Sequence, residues 1–182
     1  MNGGNLLLAG QRFGTWEGEA KYNGWRAVIH LPSGTIFNRQ GDVLSISDEF
    51  RAALKGLQAL GLPSEWADCE ALSRRHGIGK GTLLLLDYFD DRASYRARRA
   101  VMERSLHTLS VGRKPRPDSL YLVPSYPQAE FKKLWARLQR LNLQWGVEFY
   151  EGLVLKRADS VYPFQRFSAT AESAEWIKHR FC

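Results

Sequence analysis

The chain has 182 residues, of which 44% are hydrophobic and 25% are charged, values that are ordinary for one globular domain. It contains no apolar run of about 20 residues, which excludes a membrane-spanning helix, and the apolar run at residues 5–10 is too short for a secretion signal. Cys69 and Cys182 are too few for a disulfide framework, and no cysteine or histidine has zinc-ligand spacing.

The formal net charge of +7 favours a polyanionic partner such as nucleic acid or a nucleotide. Basic residues cluster at 74–80, 92–104, 113–116 and 132–140. We expect an intracellular protein, located in the cytoplasm of a bacterium or of a virus-infected host.

The predicted elements alternate along the chain. Strand-like runs are expected at 16–21, 25–31 and 34–39, followed by a helix over 50–60 that Gly61 and Pro63 end. The next elements are strands at 65–72 and 82–89, a helix over 94–109, a strand at 118–123, a helix over 128–142, and strands at 149–157 and 174–180. This order predicts an α+β fold with mainly antiparallel sheets and helices packed on the outside.

Lys21 lies at the end of the first predicted strand, immediately before a turn. Asn23 and Gly24 form a strong tight-turn signal because both residues tolerate positive φ, and Arg26 follows the turn. In isolation this pattern is typical of a surface hairpin with two solvated cations.

Further charged residues occur in the later strands, where the alternation of polar and apolar residues does not require them. They are Glu70, Glu151, Lys156, Lys178 and Arg180. A strand period of two puts Lys178 and Arg180 on one face, but it puts Glu151 and Lys156 on opposite faces unless Gly152 forms a bulge. Cations bind phosphates, and carboxylates bind a divalent metal or a ribose hydroxyl, so the set suits a nucleotide.

These residues belong to six short segments: KYNGWR (21–26), FNRQG (37–41), ADCE (67–70), LLLLDYFD (83–90), EGLVLKR (151–157) and EWIKHR (175–180). In order and spacing they resemble motifs I, Ia, III, IIIa, IV and V of the covalent nucleotidyltransferase superfamily, which contains ATP-dependent DNA ligases, RNA ligases and mRNA capping enzymes. The resemblance covers roughly residues 15 to 180 and is strongest to the adenylation domain of ATP-dependent DNA ligases. It implies the ligase nucleotidyltransferase fold, which is similar to ATP-grasp.

The resemblance also implies a reaction centred on Lys21. This lysine would attack the α-phosphorus of ATP and carry AMP, then transfer AMP to the 5′-phosphate at a nick before the phosphodiester bond is sealed. Because an ordinary lysine is protonated at neutral pH, Lys156 and Lys178 are expected to activate Lys21 as well as to hold phosphate.

Other site residues follow from the same motifs. Arg26 and Glu70 are expected at the ribose, Glu19 beside the adenine, and Leu86 at a position where relatives often stack an aromatic ring. Three candidates are expected to bind other partners: Glu151 would hold Mg²⁺ or Mn²⁺, Arg39 would contact the nucleotide and the nick 5′-phosphate, and Arg180 would contact nucleic acid.

The sequence departs from the family pattern in three places and in its extent. Asn23 replaces an aspartate, Leu86 replaces an aromatic residue, and Arg180 replaces a lysine. Relatives continue beyond motif V into an OB-fold domain, whereas residues 1–182 are expected to form a single nucleotidyltransferase domain without one. A separate DNA-binding partner could then replace the OB-fold domain.

The resemblance therefore implies a monomeric ATP-dependent DNA ligase that acts on nicked duplex DNA in replication, repair or recombination and has no membrane partner. Three alternatives remain open. They are an RNA ligase, a GTP-dependent capping guanylyltransferase, and a non-catalytic nucleic-acid-binding relative.

Overall fold

The computed structural model describes residues 14–45, 48–72, 77–163 and 175–181. The predictions that concern the apolar run at 5–10, the basic pair Arg74 and Arg75, and Cys182 lie outside the described residues. No helix of the described chain is long and apolar enough to cross a membrane.

The strands and helices of the described chain follow the predicted order, with one additional short strand between the sixth predicted strand and the third helix. The first half contains β1 (Trp16–Tyr22), β2 (Trp25–His30), β3 (Thr35–Phe37), α1 (Arg51–Gln58), β4 (Trp66–Leu72) and β5 (Thr82–Tyr88). The second half contains α2 (Tyr95–Ser105), β6 (Leu120–Leu122), β7 (Ser125–Pro127), a 3₁₀ turn (Gln128–Glu130), α3 (Phe131–Trp145), β8 (Tyr150–Arg157) and β9 (Trp176–Arg180).

The strands form two sheets. One has four strands in the order β7-β1-β8-β9, and the other has five in the order β3-β2-β4-β5-β6. Among the described residues every strand pair is antiparallel except β5 with β6. The predicted α+β fold with mainly antiparallel sheets is confirmed.

The core has two parts, and β5 contributes side chains to both. Leu84 packs with residues of the four-stranded sheet and of α3, including Leu138 and Leu153. Leu83 and Leu85 point the other way and pack with residues of α1 such as Leu57. The run of leucines in this strand is therefore explained by burial on both sides, with the two sheets facing each other and the helices outside.

The helix boundaries differ from the predictions for local reasons. The helix predicted over 94–109 ends at Ser105, since Leu106 is extended and Thr108 forms a parallel bridge with Leu122. The helix predicted over 128–142 begins one 3₁₀ turn later and continues to Trp145. It ends there because Gly146 adopts a left-handed conformation, a common helix C-terminus.

A bulge in β8 changes which side chains enter the space between the sheets. Lys21 pairs with Gly152 and Tyr22 pairs with Tyr150, so Glu151 is the extra residue. Beyond a bulge the alternation of faces is shifted by one residue.

Gly152 permits this bulge. Its φ is +144°, and a Cβ at this position would lie 1.9 Å from the backbone oxygen of His179 on β9. Only glycine tolerates that conformation and that close approach of a neighbouring strand. As a result Glu151 and Lys156 line the same cleft, where a regular strand would place them on opposite faces.

A second bulge lies in β5. Asp68 pairs with Asp87 and Cys69 pairs with Leu85, which leaves Leu86 as the extra residue. Leu86 of β5 and Asp68 of β4 both line the cleft.

Candidate active site

A cleft of about 560 Å³ lies between the two sheets. This volume is in the range of small-molecule and cofactor sites. Strands β1, β8 and β9 of one sheet and β2, β4 and β5 of the other contribute to its lining. All ten residues that the sequence nominates for chemistry or binding line it: Glu19, Lys21, Arg26, Arg39, Glu70, Leu86, Glu151, Lys156, Lys178 and Arg180.

The turn after β1 fixes the position of Lys21. The backbone N–H of Asn23 donates to the carbonyl of Phe149 at 3.0 Å, and the N–H of Gly24 donates to Glu70 Oε1 at 2.8 Å. A Cβ on Gly24 would lie 2.7 Å from the carbonyl oxygen of Ala71, so the turn packs too closely on β4 for any other residue. The turn is therefore held by both sheets, and Lys21 is held at the cleft between them.

The ammonium of Lys21 forms an ion pair with Glu151. Arg180 Nε lies 3.5 Å from the same carboxylate oxygen, so Glu151 faces two cations. The side chains of Lys21 and Glu151 are only 16% and 23% exposed, which makes this pair partly desolvated. The arrangement places a lysine amine, a carboxylate and a guanidinium at one point, and a triphosphate and a divalent cation could exchange for these contacts.

Lys178 lies on β9, the strand that also carries Arg180, and it lines the cleft. Burial, followed by the positive charges of Arg26 and Lys21, lowers the pKa of the Lys178 ammonium. An anionic ligand would relieve this repulsion, so the cleft favours a bound phosphate group.

Arg26 is held by a pair of hydrogen bonds to a buried carboxylate. Its Nε and Nη2 donate to the two oxygens of Asp68, both at 2.8 Å, and the hydroxyl of Tyr162 donates to the same carboxylate at 3.0 Å. The Asp68 charge raises the pKa of Arg26, which is a permanent cation. Arg26 is 39% exposed, so its orientation is fixed while part of its guanidinium remains accessible.

The carboxyl of Glu70 has a raised pKa. Burial raises its pKa to about 7, and the nearby Lys21 charge and the hydrogen bond from Gly24 offset part of that increase. Glu70 can therefore change protonation near neutral pH, at a position that lines the cleft beside Arg26.

Lys156 lies at the buried end of the cleft. Its Nζ is 2.9 Å and 3.0 Å from the two oxygens of Glu19 and donates to the carbonyl of Leu86 at 2.9 Å. The hydroxyl of Tyr95 on α2 donates to Glu19 at 2.6 Å. Both members of the lysine–glutamate pair are almost fully buried, so loss of either would leave the other charge buried without its nearest partner.

This geometry affects two predicted roles. Glu19 and Lys156 are predicted at the adenine and at a phosphate, respectively. The structure pairs them with each other, and the Lys156 ammonium also donates to the backbone carbonyl of Leu86. Their roles toward a nucleotide stay predictions.

The apolar part of the cleft suits a flat base. Leu86, Val154 and Trp176 line it, and the Trp176 indole donates to Ser160 at 3.3 Å. The Lys156 ammonium lies 4.3 Å from the centroid of the Trp176 ring. This cation–π contact fixes the ring against the buried ion pair.

Arg39 lies on the exposed loop after β3, at the rim of the cleft. The Asn38 side chain orders this loop, because its Oδ1 accepts from the N–H groups of Gln40 and Asp42 at 2.8 Å and 3.0 Å. Arg39 is thus positioned to meet a ligand that extends out of the cleft.

The residues of the cleft could hold a divalent cation only when a bound phosphate group supplies further oxygen atoms. No group of three or more potential metal-ligating side chains occurs among the described residues. Mg²⁺ is commonly held by one or two carboxylates together with substrate phosphates and water. Glu151 fits that pattern, and its neighbouring cations disfavour a metal bound without phosphate.

Sequence reasoning missed several residues that support the site. Asp68 lies inside a nominated motif, and its alternation with Glu70 on one strand face was a usable signal. Asp87 and Arg98 form a fully buried ion pair below the cleft, with two hydrogen bonds of 2.8 Å and 2.9 Å. Arg98 and Tyr95 come from α2, and no local pattern marks them as partners of residues on distant strands.

No protein-family model matches the chain, and no curated protein matches it. Solved structures do match. A Lig E DNA ligase, described as binding DNA with a minimal scaffold, is 16% identical with a TM-score of 0.59, and the match covers 92% of this chain and 62% of that one.

Two further matches are mycobacterial. The ligase domain of Mycobacterium tuberculosis LigD is 16% identical with a TM-score of 0.53, over 91% of this chain and 53% of that one. A mycobacterial DNA ligase D complexed with ATP and MES is 17% identical with a TM-score of 0.52, over 91% and 54%. The chain thus spans less than two thirds of the length of each of these proteins.

The chain has the fold of the ligase nucleotidyltransferase domains. The resemblance to the nucleotidyltransferase superfamily that the six segments indicate is confirmed at the level of the fold.

Proposed function

We propose that the chain is the catalytic adenylation domain of an ATP-dependent polynucleotide ligase that seals nicks in duplex DNA. The observation that carries the proposal is the position of Lys21. Its amine lies in a nucleotide-sized cleft beside Glu151, and the other nominated residues line the same cleft. Matched structures of DNA ligases, one of them complexed with ATP, support the proposal through the shared fold.

In the first step the Lys21 amine attacks the α-phosphorus of ATP. A nitrogen–phosphorus bond forms, the bond to the bridging oxygen breaks, and pyrophosphate leaves. Lys21 loses its protons to solvent or to the leaving group. Because the amine must be neutral to attack, its ion pair with Glu151 has to be released when the nucleotide binds.

The cations of the cleft stabilise the charge that develops on the phosphates. Lys178 and Arg180 lie on β9, which β8 separates from the strand of Lys21, and they line the cleft with Arg39 on its rim. Positioning and charge neutralisation are the main protein contributions to phosphoryl transfer. Glu151 would hold Mg²⁺ or Mn²⁺, which would neutralise phosphate charge when bound.

The nucleoside would occupy the inner part of the cleft. Arg26 and Glu70 line it at the position proposed for the ribose, where Arg26 is orientated by Asp68. Leu86, Val154 and Trp176 offer apolar surface to the base. Lys156 and Glu19 form the buried floor below it.

In the second step the 5′-phosphate at a nick attacks the phosphorus of lysyl-AMP. The nitrogen–phosphorus bond breaks, Lys21 regains its proton, and AMP is joined to the nucleic acid through a pyrophosphate linkage. In the third step the 3′-hydroxyl attacks the 5′-phosphate, which forms the phosphodiester bond and releases AMP.

A nick-sealing assay tests the proposal. Duplexes with one nick are incubated with ATP or GTP and Mg²⁺, with deoxyribose or ribose strands on each side of the nick. We expect sealing of the DNA nick with ATP by the wild-type protein and none by Lys21→Arg, which keeps the charge. Preference for ribose strands would assign an RNA ligase, dependence on GTP would assign the capping branch, and sealing by Lys21→Arg would contradict the proposed nucleophile.

A further inference from the structure

A group of cations outside the cleft has no role in the chemistry described above. Lys80, Arg113, Lys114 and Arg116 are all exposed and lie on two loops, residues 77–81 and 110–118. We refer to these four residues as the basic loop surface. The two loops touch each other, since the Asp118 N–H donates to the carbonyl of Lys80 at 2.9 Å.

The charge of this surface is not compensated within the described part of the chain. None of its four cations forms an ion pair there, whereas Lys21, Arg26, Arg98 and Lys156 each have a carboxylate partner. The only acid within residues 110–118 is Asp118, whose side chain lies against Gly81. Uncompensated cations close together favour an anionic partner.

The backbone under these cations is fixed by hydrogen bonds. The buried hydroxyl of Thr82 donates to the carbonyl of Arg116 at 2.6 Å, and the Arg113 N–H donates to the carbonyl of Ser110 at 3.1 Å. The Lys114 ammonium lies 5.3 Å from the centroid of the Trp145 ring. A backbone that is already held in place loses less conformational entropy when its side chains bind a partner than a mobile segment does.

Two series of contacts connect the basic loop surface to the turn that carries Lys21. On one side, the Gly81 N–H donates to the carbonyl of Leu72 at 2.9 Å, and the preceding residue of β4, Ala71, is in contact with Gly24 of the turn.

On the other side, the Trp145 ring that holds Lys114 is 5.5 Å from the ring of Phe149. The carbonyl of Phe149 accepts from the N–H of Asn23 in the same turn. Both series of contacts end at the turn that carries Lys21, so the basic loop surface is packed against the same part of the fold as this lysine.

We propose that the basic loop surface binds the phosphate backbone of the duplex nucleic acid whose nick is presented to Lys21. The proposal rests on the proposed function for the identity of the polymer. Regularly spaced phosphates are the anions that a row of exposed lysine and arginine side chains recognises without reading sequence.

The test compares two triple variants of the full chain. Arg113→Glu/Lys114→Glu/Arg116→Glu reverses three charges of the surface. Arg92→Glu/Arg96→Glu/Arg104→Glu reverses three exposed arginines on and before α2, so the net charge changes equally.

Affinity for a fluorescent nicked DNA duplex is measured by anisotropy over a range of salt concentrations. The alanine triple at 113, 114 and 116 is used as well, and circular dichroism and thermal unfolding confirm that each variant folds.

We expect the surface triple to bind the duplex at least about tenfold more weakly than wild type at about 0.1 M salt. We also expect the slope of log affinity against log salt to become smaller in magnitude by about 2 to 3, one phosphate contact for each lost cation. The alanine triple should show the same loss of slope, and the α2 triple should stay within about twofold of wild type. Equal weakening by the two glutamate triples, or none by either surface triple, would overturn the proposal.

A second readout separates this proposal from the proposed function. Transfer of AMP to the protein from ATP without DNA should be the same in wild type and in all triples, since none of the mutated residues lines the cleft. If wild type takes up no AMP, the proposed function fails, while the duplex-binding comparison still decides the role of the surface. If a surface triple loses AMP uptake together with binding, a specific role in nucleic-acid binding is contradicted.

Discussion

Replacing Glu70 by glutamine should remove a pH dependence of stability that this single carboxyl imposes. Burial raises its pKa from 4.5 to about 7. Between these two pH values the folded protein binds one more proton at this position than the unfolded chain does. Stability from Glu70 is therefore complete below about pH 4.5 and is lost as pH rises toward the folded pKa.

The size of the effect follows from the shift. One pKa unit corresponds to about 1.4 kcal/mol, and for these two pKa values the loss between pH 5 and pH 8 is about 2.5 kcal/mol. Glutamine keeps the acceptor oxygen for the Gly24 N–H and has no charge to desolvate. The free energy of unfolding of Glu70→Gln should therefore fall by about 2.5 kcal/mol less than that of wild type over this range.

Urea unfolding at pH 5, 6, 7 and 8, followed by tryptophan fluorescence, measures this difference. Glu65→Gln is a matched control, because Glu65 is exposed and precedes the same strand. Identical pH profiles for wild type and Glu70→Gln would refute the argument from burial, as would an equal change in the control.

Three other substitutions, and one control, have defined outcomes. Gly152→Ala should destabilise the protein by about 3 kcal/mol or more in urea unfolding, because its φ is +144° and the new Cβ would overlap a backbone oxygen of β9; Gly61→Ala, with open space around it, should cost about 1 kcal/mol. Asp68→Asn removes the charge that orientates Arg26 and should cost about 2 kcal/mol and raise KM for ATP in AMP-uptake kinetics. Tyr95→Phe removes the hydroxyl that donates to the buried carboxylate of β1 and should cost about 1 to 2 kcal/mol in the same unfolding assay, with AMP uptake retained. Unchanged stability in any of these variants would contradict the contact on which it depends.

The sequence was sufficient to predict the fold class and to nominate ten residues that line one cleft. Alternation along strands assigns each side chain to a face, so Lys178 and Arg180 could be placed together from spacing alone. The order of the six motif-like segments then brought residues from Glu19 to Arg180 into one expected site. The structure places them around one cleft, while their individual roles stay predictions.

The two bulges could not be predicted from spacing. A regular β8 puts Glu151 and Lys156 on opposite faces, and only the pairing of Lys21 with Gly152 shows that the register shifts. The glycine indicated that a bulge was possible, but its occurrence depends on how closely β9 approaches. The bulge at Leu86 carries no such local signal.

Partners that lie far apart in sequence were also beyond the reach of local patterns. The hydroxyl of Tyr95 reaches Glu19 across 76 positions of the chain, and the ion pair of Arg98 with Asp87 is completely buried. A helix rich in arginine is usually solvated on its charged face, and here the tertiary structure overrides that tendency. Strand β7 has only three residues and ends in Pro127, too short for a periodic signal.

The central claim is that Lys21 becomes covalently attached to AMP. The most direct test is to incubate the protein with Mg²⁺ and ATP, and in parallel with GTP or NAD, and to determine the intact mass and the modified peptide by mass spectrometry. We expect a gain of one adenylyl group with ATP, located on Lys21, and no gain for Lys21→Arg. An unmodified wild-type protein, or an adenylyl group on another residue, would contradict the account.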